Sequence, residues 1–170
     1  MKQGLDQYGV IDAIKRNEDL KHDFLASTEN IQFSTRATTS FDGDDNRVTT
    51  HEPMFALSNN PIGSANWYDI NQTMETQMSN KLGDPKSYWD KCLKTAPLLL
   101  KENVDHWLYE NPKTMMVRTL GDTGRAFLSD RYARYDHFDV LEKVMPIMSK
   151  FNMEFRDSYI TEDKMYLRAT

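Results

Sequence analysis

The spacing of apolar positions changes several times along this chain, and each change marks an expected element. Leu5, Tyr8, Ile11, Ala13, Ile14, Leu20, Phe24 and Leu25 recur three to four residues apart, which predicts a first helix over Leu5–Leu25. Gly9 and the polar stretch Lys15–Asp19 mark where that helix would break. From Ile31 the period falls to two. Ile31, Phe33 and Thr35 alternate with Gln32, Ser34 and Arg36, and the segment is rich in Thr, as strands are. Asp42-Gly43-Asp44-Asp45-Asn46 reads as a turn, since these residues tolerate left-handed backbone. Arg47-Val48-Thr49-Thr50 then returns as the second strand of a hairpin. Met54–Leu57 is a short apolar run, strand or turn, ended by Asn59-Asn60-Pro61.

The middle of the chain returns to helical spacing. Asp69 is the expected N-cap of a helix running to about Leu82, stopped by Gly83 and the Asp84-Pro85 step. Pro85 opens a second helix carrying Tyr88, Trp89, Cys92 and Leu93. A third begins at Thr95-Ala96-Pro97, carries Leu98, Leu99, Val104, Trp107 and Leu108, and closes at Asn111-Pro112. After Lys113 the period is two again. Met115–Leu120 and Arg125–Ser129 flank Gly121-Asp122-Thr123-Gly124, a hairpin pattern. Asp136 caps a helix through Ser149 in which Pro146 predicts a kink or an early end. Phe151–Ile160 and Lys164–Ala169 read as closing strands joined by Thr161-Glu162-Asp163. The fold class is therefore α+β: an N-terminal helix and strands, a central three-helix segment and a C-terminal strand-strand-helix-strand-strand unit. Residues 1–170 are expected to form a single domain, with 69–111 a helical subdomain and 113–170 the β-β-α-β-β unit.

Composition narrows the classes. The chain has 170 residues, a formal charge of −5 and 11% aromatic residues, enough core-forming side chains to set it apart from disordered chains. An acidic total excludes a uniformly basic nucleic-acid coat but leaves room for a local basic face. A single cysteine, Cys92, allows neither an internal disulfide nor a Cys-rich zinc site, which suits a reducing compartment. The start lacks the apolar core of a signal peptide, and the longest strongly apolar run, Pro97–Leu100, falls far short of the ~20 residues a spanning helix needs. A cytoplasmic location follows as an expectation.

Familiar catalytic patterns are missing. There is no Gly-rich phosphate loop, no Gly-x-Ser-x-Gly elbow and no His-Glu-x-x-His, and no cofactor is expected. His51-Glu52 comes nearest to a metal pair, but adjacent strand residues point to opposite faces. Asp42-x-Asp44-x-Asn46 resembles the start of a calcium loop, yet Arg47 and Pro53 stand where Gly and Glu are required. No metal site is assigned. A divalent-metal hydrolase using His51, Glu52 and the Asp42–Asp45 cluster is the weakest of the readings considered.

Charge along the chain is more informative than its sum. Between Lys113 and Tyr135 five basic residues face two acidic ones, so the segment carries +3, leaving −8 for the rest of a chain that totals −5. Arg118, Arg125, Arg131 and Arg134 alternate here with Tyr132 and Tyr135. Guanidinium forks hold phosphate and aromatic faces stack unpaired bases, so these six residues are the candidate contacts to single-stranded nucleic acid. Pairing of Arg131 and Arg134 with Asp130 and Asp136, with Tyr132 in the core, would give the same pattern without a ligand. Trp67-Tyr68, Tyr88-Trp89 and Trp107 suit helix packing, or stacking if exposed. The ten Met residues suit core filling.

Val117-Arg118-Thr119-Leu120, Arg125-Ala126-Phe127-Leu128-Ser129-Asp130-Arg131-Tyr132, Asp136 and Asp139-Val140-Leu141 together resemble the signature of a phage/plasmid-like protein family of unknown function. Gly83-Asp84-Pro85-x-x-Tyr88 and Ala96-Pro97-Leu98-Leu99 to Trp107-Leu108 are similar to its helical region, and the likeness covers about residues 54–170. Members are typically longer, so the resemblance implies a short or truncated member encoded by a phage or plasmid. The family's layout is similar, at a distance, to phage single-strand annealing proteins; no catalytic residue transfers. The leading expectation is a non-catalytic single-stranded DNA-binding protein. The alternative is a small acidic interaction protein that inhibits or recruits a host or phage protein, such as a defence complex. A homo-oligomer is open under both.

Overall fold

The computed structural model describes residues 4–58, 67–160 and 164–170. In chain order the elements are α1 (Gln7–Leu20), β1 (Lys21–Ser27), a 3-10 turn (Thr28–Asn30), β2 (Ile31–Phe41), β3 (Arg47–Leu57), β4 (Trp67–Ile70), α2 (Gln72–Leu82), α3 (Lys86–Thr95), α4 (Pro97–Glu110), β5 (Thr114–Leu120), β6 (Thr123–Ser129), α5 (His137–Lys150), β7 (Tyr159–Ile160) and β8 (Met165–Tyr166). The α+β class holds. The turns expected at Asn59–Pro61 and Thr161–Asp163 lie outside the described residues.

The chain forms two compact units rather than the expected single one: His22–Tyr132, and Met1–Lys21 with Ala133–Thr170. In the first, six strands run in the order β1-β5-β6-β4-β3-β2. Strands β1 and β2 sit at opposite edges of that order, yet three residues join them. Five strand spacings of a flat sheet would separate them by ~24 Å, and the link reaches ~14 Å at full extension. The sheet must therefore curl. Thr28 pins the link to the start of β5, its N–H donating to the Lys113 carbonyl at 3.0 Å and its Oγ1 accepting from the Lys113 N–H at 3.1 Å.

Helices α2, α3 and α4 share one core with the sheet. Met74, Met78, Trp89, Leu100, Val104 and Leu108 pack with Ile31, Phe33, Phe55, Val117 and Phe127. Residues 69–111 thus include the end of β4, inside the sheet, as well as the helices, because the apolar faces of these short helices need a sheet to bury against. Trp67–Ile70 is a strand, so the cap of α2 is Asn71, not Asp69; its side chain accepts from the Met74 N–H at 2.9 Å. Gly83 ends the helix at φ 83°. Strands β5 and β6 meet at a two-residue turn, with Gly121 at φ 56°. Gly124 falls inside β6, where a Cβ would collide with the Phe55 ring and the Met74 sulfur.

Two expectations change here. The first helix stops at Leu20, and the residues after it form β1, where Phe24 is buried and Leu25 exposed. The Phe24-Leu25 pair fits either period, and pairing with β5 selects the strand. The expected β-β-α-β-β unit over 113–170 also divides. Its hairpin belongs to the curled sheet, because Val117 and Phe127 bury against α2–α4, while α5 packs with α1 around Val10, Ile14, Leu141, Met148 and Phe155. The closing strands shrink to β7 with β8 and a single bridge between Phe155 and Ala169. Helix α5 runs on through Pro146 to Lys150.

Candidate nucleic-acid interface

Strand β4 is short and pairs with β6 only at Thr123 and Gly124. Beyond that point β6 has α2 beside it, and Gln77 of α2 accepts the Phe127 N–H at 2.7 Å. Because β5 and β6 are antiparallel, the start of one and the end of the other lie together. The C-terminal turns of α2 and α4 reach the same place. A cleft of about 820 Å³ opens there, inside the range of small-ligand pockets (~300–1,000 Å³).

Its lining divides by chemistry. Met115 and Phe127, both buried, and Leu82 are the apolar part. Trp107 is 42% exposed, with His106 edge-on at 5.1 Å between ring centroids. Lys81, Lys113 and Arg131 bring three cations against the single carboxylate of Asp130, and Thr28, Asn111, Thr114 and Ser129 add polar groups. Lys81, Lys113 and Arg131 are all exposed. Two helix C-termini contribute partial negative charge nearby, which favours lysines in the closing turn. The cation excess exceeds that contribution, so the cleft suits an anion bearing a flat ring.

Of the six expected contact residues, Arg118, Arg125, Arg131 and Tyr132 lie in the unit that holds the cleft, and Arg131 is in its lining. Arg118 is 7% exposed and forks onto Asp23, with Nε to Oδ1 at 2.9 Å and Nη2 to Oδ2 at 3.2 Å. This corrects its assignment to phosphate. A guanidinium on a strand with neighbours on both sides is stable only beside a carboxylate, and β1 supplies one. Arg125 is half-buried, with Nε and Nη2 shielded from solvent. Arg131 lines the cleft, and Tyr132 beside it is 44% exposed rather than core, its N–H donating to the Ser129 carbonyl at 3.1 Å. Arg134 and Tyr135 belong to the other unit, where Lys143 Nζ stands 5.0 Å from the Tyr135 ring centre.

Sequence reasoning missed Lys81, Asn111 and Thr28 as cleft residues and left Trp107 undecided. Lys81 lies far from the basic segment in sequence, and exposure of a helical Trp has no signature in its spacing.

Elsewhere, Glu52 is tied to Arg36 at 2.9 Å, and Asp42 accepts the Asn46 and Asp44 amides at 2.9 and 3.0 Å. Those bonds hold the Asp42 carboxyl below the usual aspartate range. No group of three or more His, Cys, Asp or Glu among the described residues is arranged to hold a metal ion. No described helix is long and apolar enough to cross a membrane. Comparison with protein-family models, with curated proteins and with solved structures found no match in any of the three.

Proposed function

We propose that this protein binds single-stranded nucleic acid without catalysing a reaction, and that the cleft between α2, α4 and the β5–β6 hairpin is where it does so. The observation that carries the reading is one cavity holding Lys81, Lys113 and Arg131 beside a half-exposed Trp107. Cations along a groove track phosphates, and an aromatic face stacks a base of any identity. Tyr132, next to Arg131 in the chain, is a further exposed ring. A phage or plasmid origin, implied by the resemblance of Arg125–Tyr132, is part of the same proposal.

Fluorescence anisotropy with labelled oligonucleotides tests it. Binding is expected to weaken steeply between low and moderate salt, and to fall in Lys113→Ala/Arg131→Ala. Trp107→Ala is expected to cost about 1–3 kcal/mol, the worth of one stacked base. Salt-independent binding, or unchanged affinity in the double variant, sinks the idea. A mononucleotide that competes as well as an oligonucleotide would instead make the cleft a nucleotide site.

A further inference from the structure

Strands β2 and β3 pair over eleven positions, from Ile31 opposite Leu57 to Phe41 opposite Arg47, without a bulge. Strand β4 pairs with β3 only at Met54–Ala56. From Thr35 to Phe41 the hairpin is therefore a two-stranded ribbon with two open edges among the described residues. Its backbone parity is set by three bonds. The Phe33 N–H turns outward to Asp105 Oδ1 at 3.0 Å, while the Thr38 carbonyl accepts from Thr50 Oγ1 and the Asp42 N–H bonds the Asn46 carbonyl, both on the β3 side. Odd residues of β2 thus point their amides away from β3.

The two edges differ. On β3 the outward positions are Arg47, Thr49, His51 and Pro53, the charges and proline that guard an edge against pairing. On β2 they are Thr35, Ala37, Thr39 and Phe41, with no charge, proline or glycine. The one charged residue of β2, Arg36, points its amide inward, and Glu52 and Asp69 neutralise it, both at 2.9 Å. Phe41 at the far end is 70% exposed.

We propose that the β2 edge pairs antiparallel with β2 of a second copy of this chain, on a two-fold axis through Thr38. The free stretch sets the register of such a pair. It is closed at one end by Asp105 on the Phe33 amide and at the other by the turn at Asp42. Four outward positions, Thr35 to Phe41, lie symmetrically about Thr38, so an identical strand fills the edge with no overhang. Thr35 then faces Phe41 of the second copy, Ala37 faces Thr39, and Arg36 faces Ser40, leaving no like charges opposed across the seam. The tip at Asp42 arrives at Ser34, beside a hollow lined by Lys101, Asp105 and Tyr109, where Lys101 and Asp105 pair with each other.

Thr38 becomes a pair without direct hydrogen bonds, Cα atoms ~4.5 Å apart, a separation a disulfide spans. Sedimentation of the full chain at micromolar concentration is expected to give twice the monomer mass. Thr38→Cys is expected to form a disulfide-linked dimer under mild oxidation, with Cys92 buried and inert. Ser40→Cys, off the axis, is expected to stay uncrosslinked. Ala37→Pro removes an outward amide and spares the β2–β3 ladder, so the dimer is expected to be lost with circular dichroism unchanged. A monomeric wild type, a Thr38→Cys chain that fails to crosslink, or an Ala37→Pro chain that stays dimeric while folded overturns the proposal. A monomer that gains mass only with nucleic acid or another protein assigns the edge to that occupant instead.

Discussion

Arg118 shows how a single residue's chemistry is decided by its neighbours. As part of a basic run it suits phosphate; on β5 it is a buried cation whose fork is filled by Asp23, 95 residues away in the chain. Removing one member of such a pair strands the other in low dielectric. Arg118→Ala is therefore expected to lower unfolding stability by about 3–5 kcal/mol in urea titrations, with nucleic-acid affinity of the folded fraction unchanged. Asp84 offers a contrasting case. Burial raises its carboxyl above the ordinary aspartate value. A folded-state pKa above the unfolded one favours the fold while the group is protonated, and that benefit is lost as pH rises through the folded value. Asp84→Asn is expected to raise the melting temperature at neutral pH, with the advantage shrinking as pH falls through the raised folded-state value and gone below the ordinary aspartate value. Lys86 is balanced differently: burial works against its ammonium, but hydrogen bonds to Asp90 and Glu75 outweigh it and hold its pKa above the usual lysine value.

Among the elements, those with local punctuation were legible in the sequence. The turn at Asp42–Asn46, the stop at Gly83, Pro97 at the start of α4 and the β5–β6 turn are all where short-range chemistry puts them. Elements that depend on distant partners were not. Trp67–Ile70 is four residues long and becomes a strand because β3 and β6 flank it. Its presence moves the cap of α2 from Asp69 to Asn71. Asn71→Ala is expected to destabilise by about 0.5–2 kcal/mol in thermal unfolding, whereas Asp69→Ala loses an ion pair with Arg36 and no cap. The end of α1 follows the same rule: nothing local distinguishes Phe24-Leu25 as helix or strand, and the neighbouring strand decides.

At the scale of the molecule, an acidic total of −5 and a cationic cleft coexist because charge is sorted by position. If Lys81, Lys113 and Arg131 each meet a phosphate, each contributes about 0.7 to the slope of log affinity against log salt for a single strand. Replacing all three by Ala is expected to flatten that slope by about 2, measured by anisotropy across a salt series. The ribbon and the cleft make separate claims: loss of the dimer in Ala37→Pro tests the edge, and loss of the salt slope tests the cleft.

The α+β class, the hairpins and most helix boundaries follow from periodicity, turn residues and caps, which act within a few positions. That the basic segment would matter was also visible, since charge is additive along a chain. Which of its residues stay in solvent was not. Pairing of β1 with β5 sets Arg118 against Asp23, Arg134 and Tyr135 belong to the other compact unit, and the cleft sets Arg131 beside Lys81, Lys113 and Trp107. Burial and ion pairing depend on residues far apart in sequence, so tertiary packing alone selects which cations remain to meet a ligand.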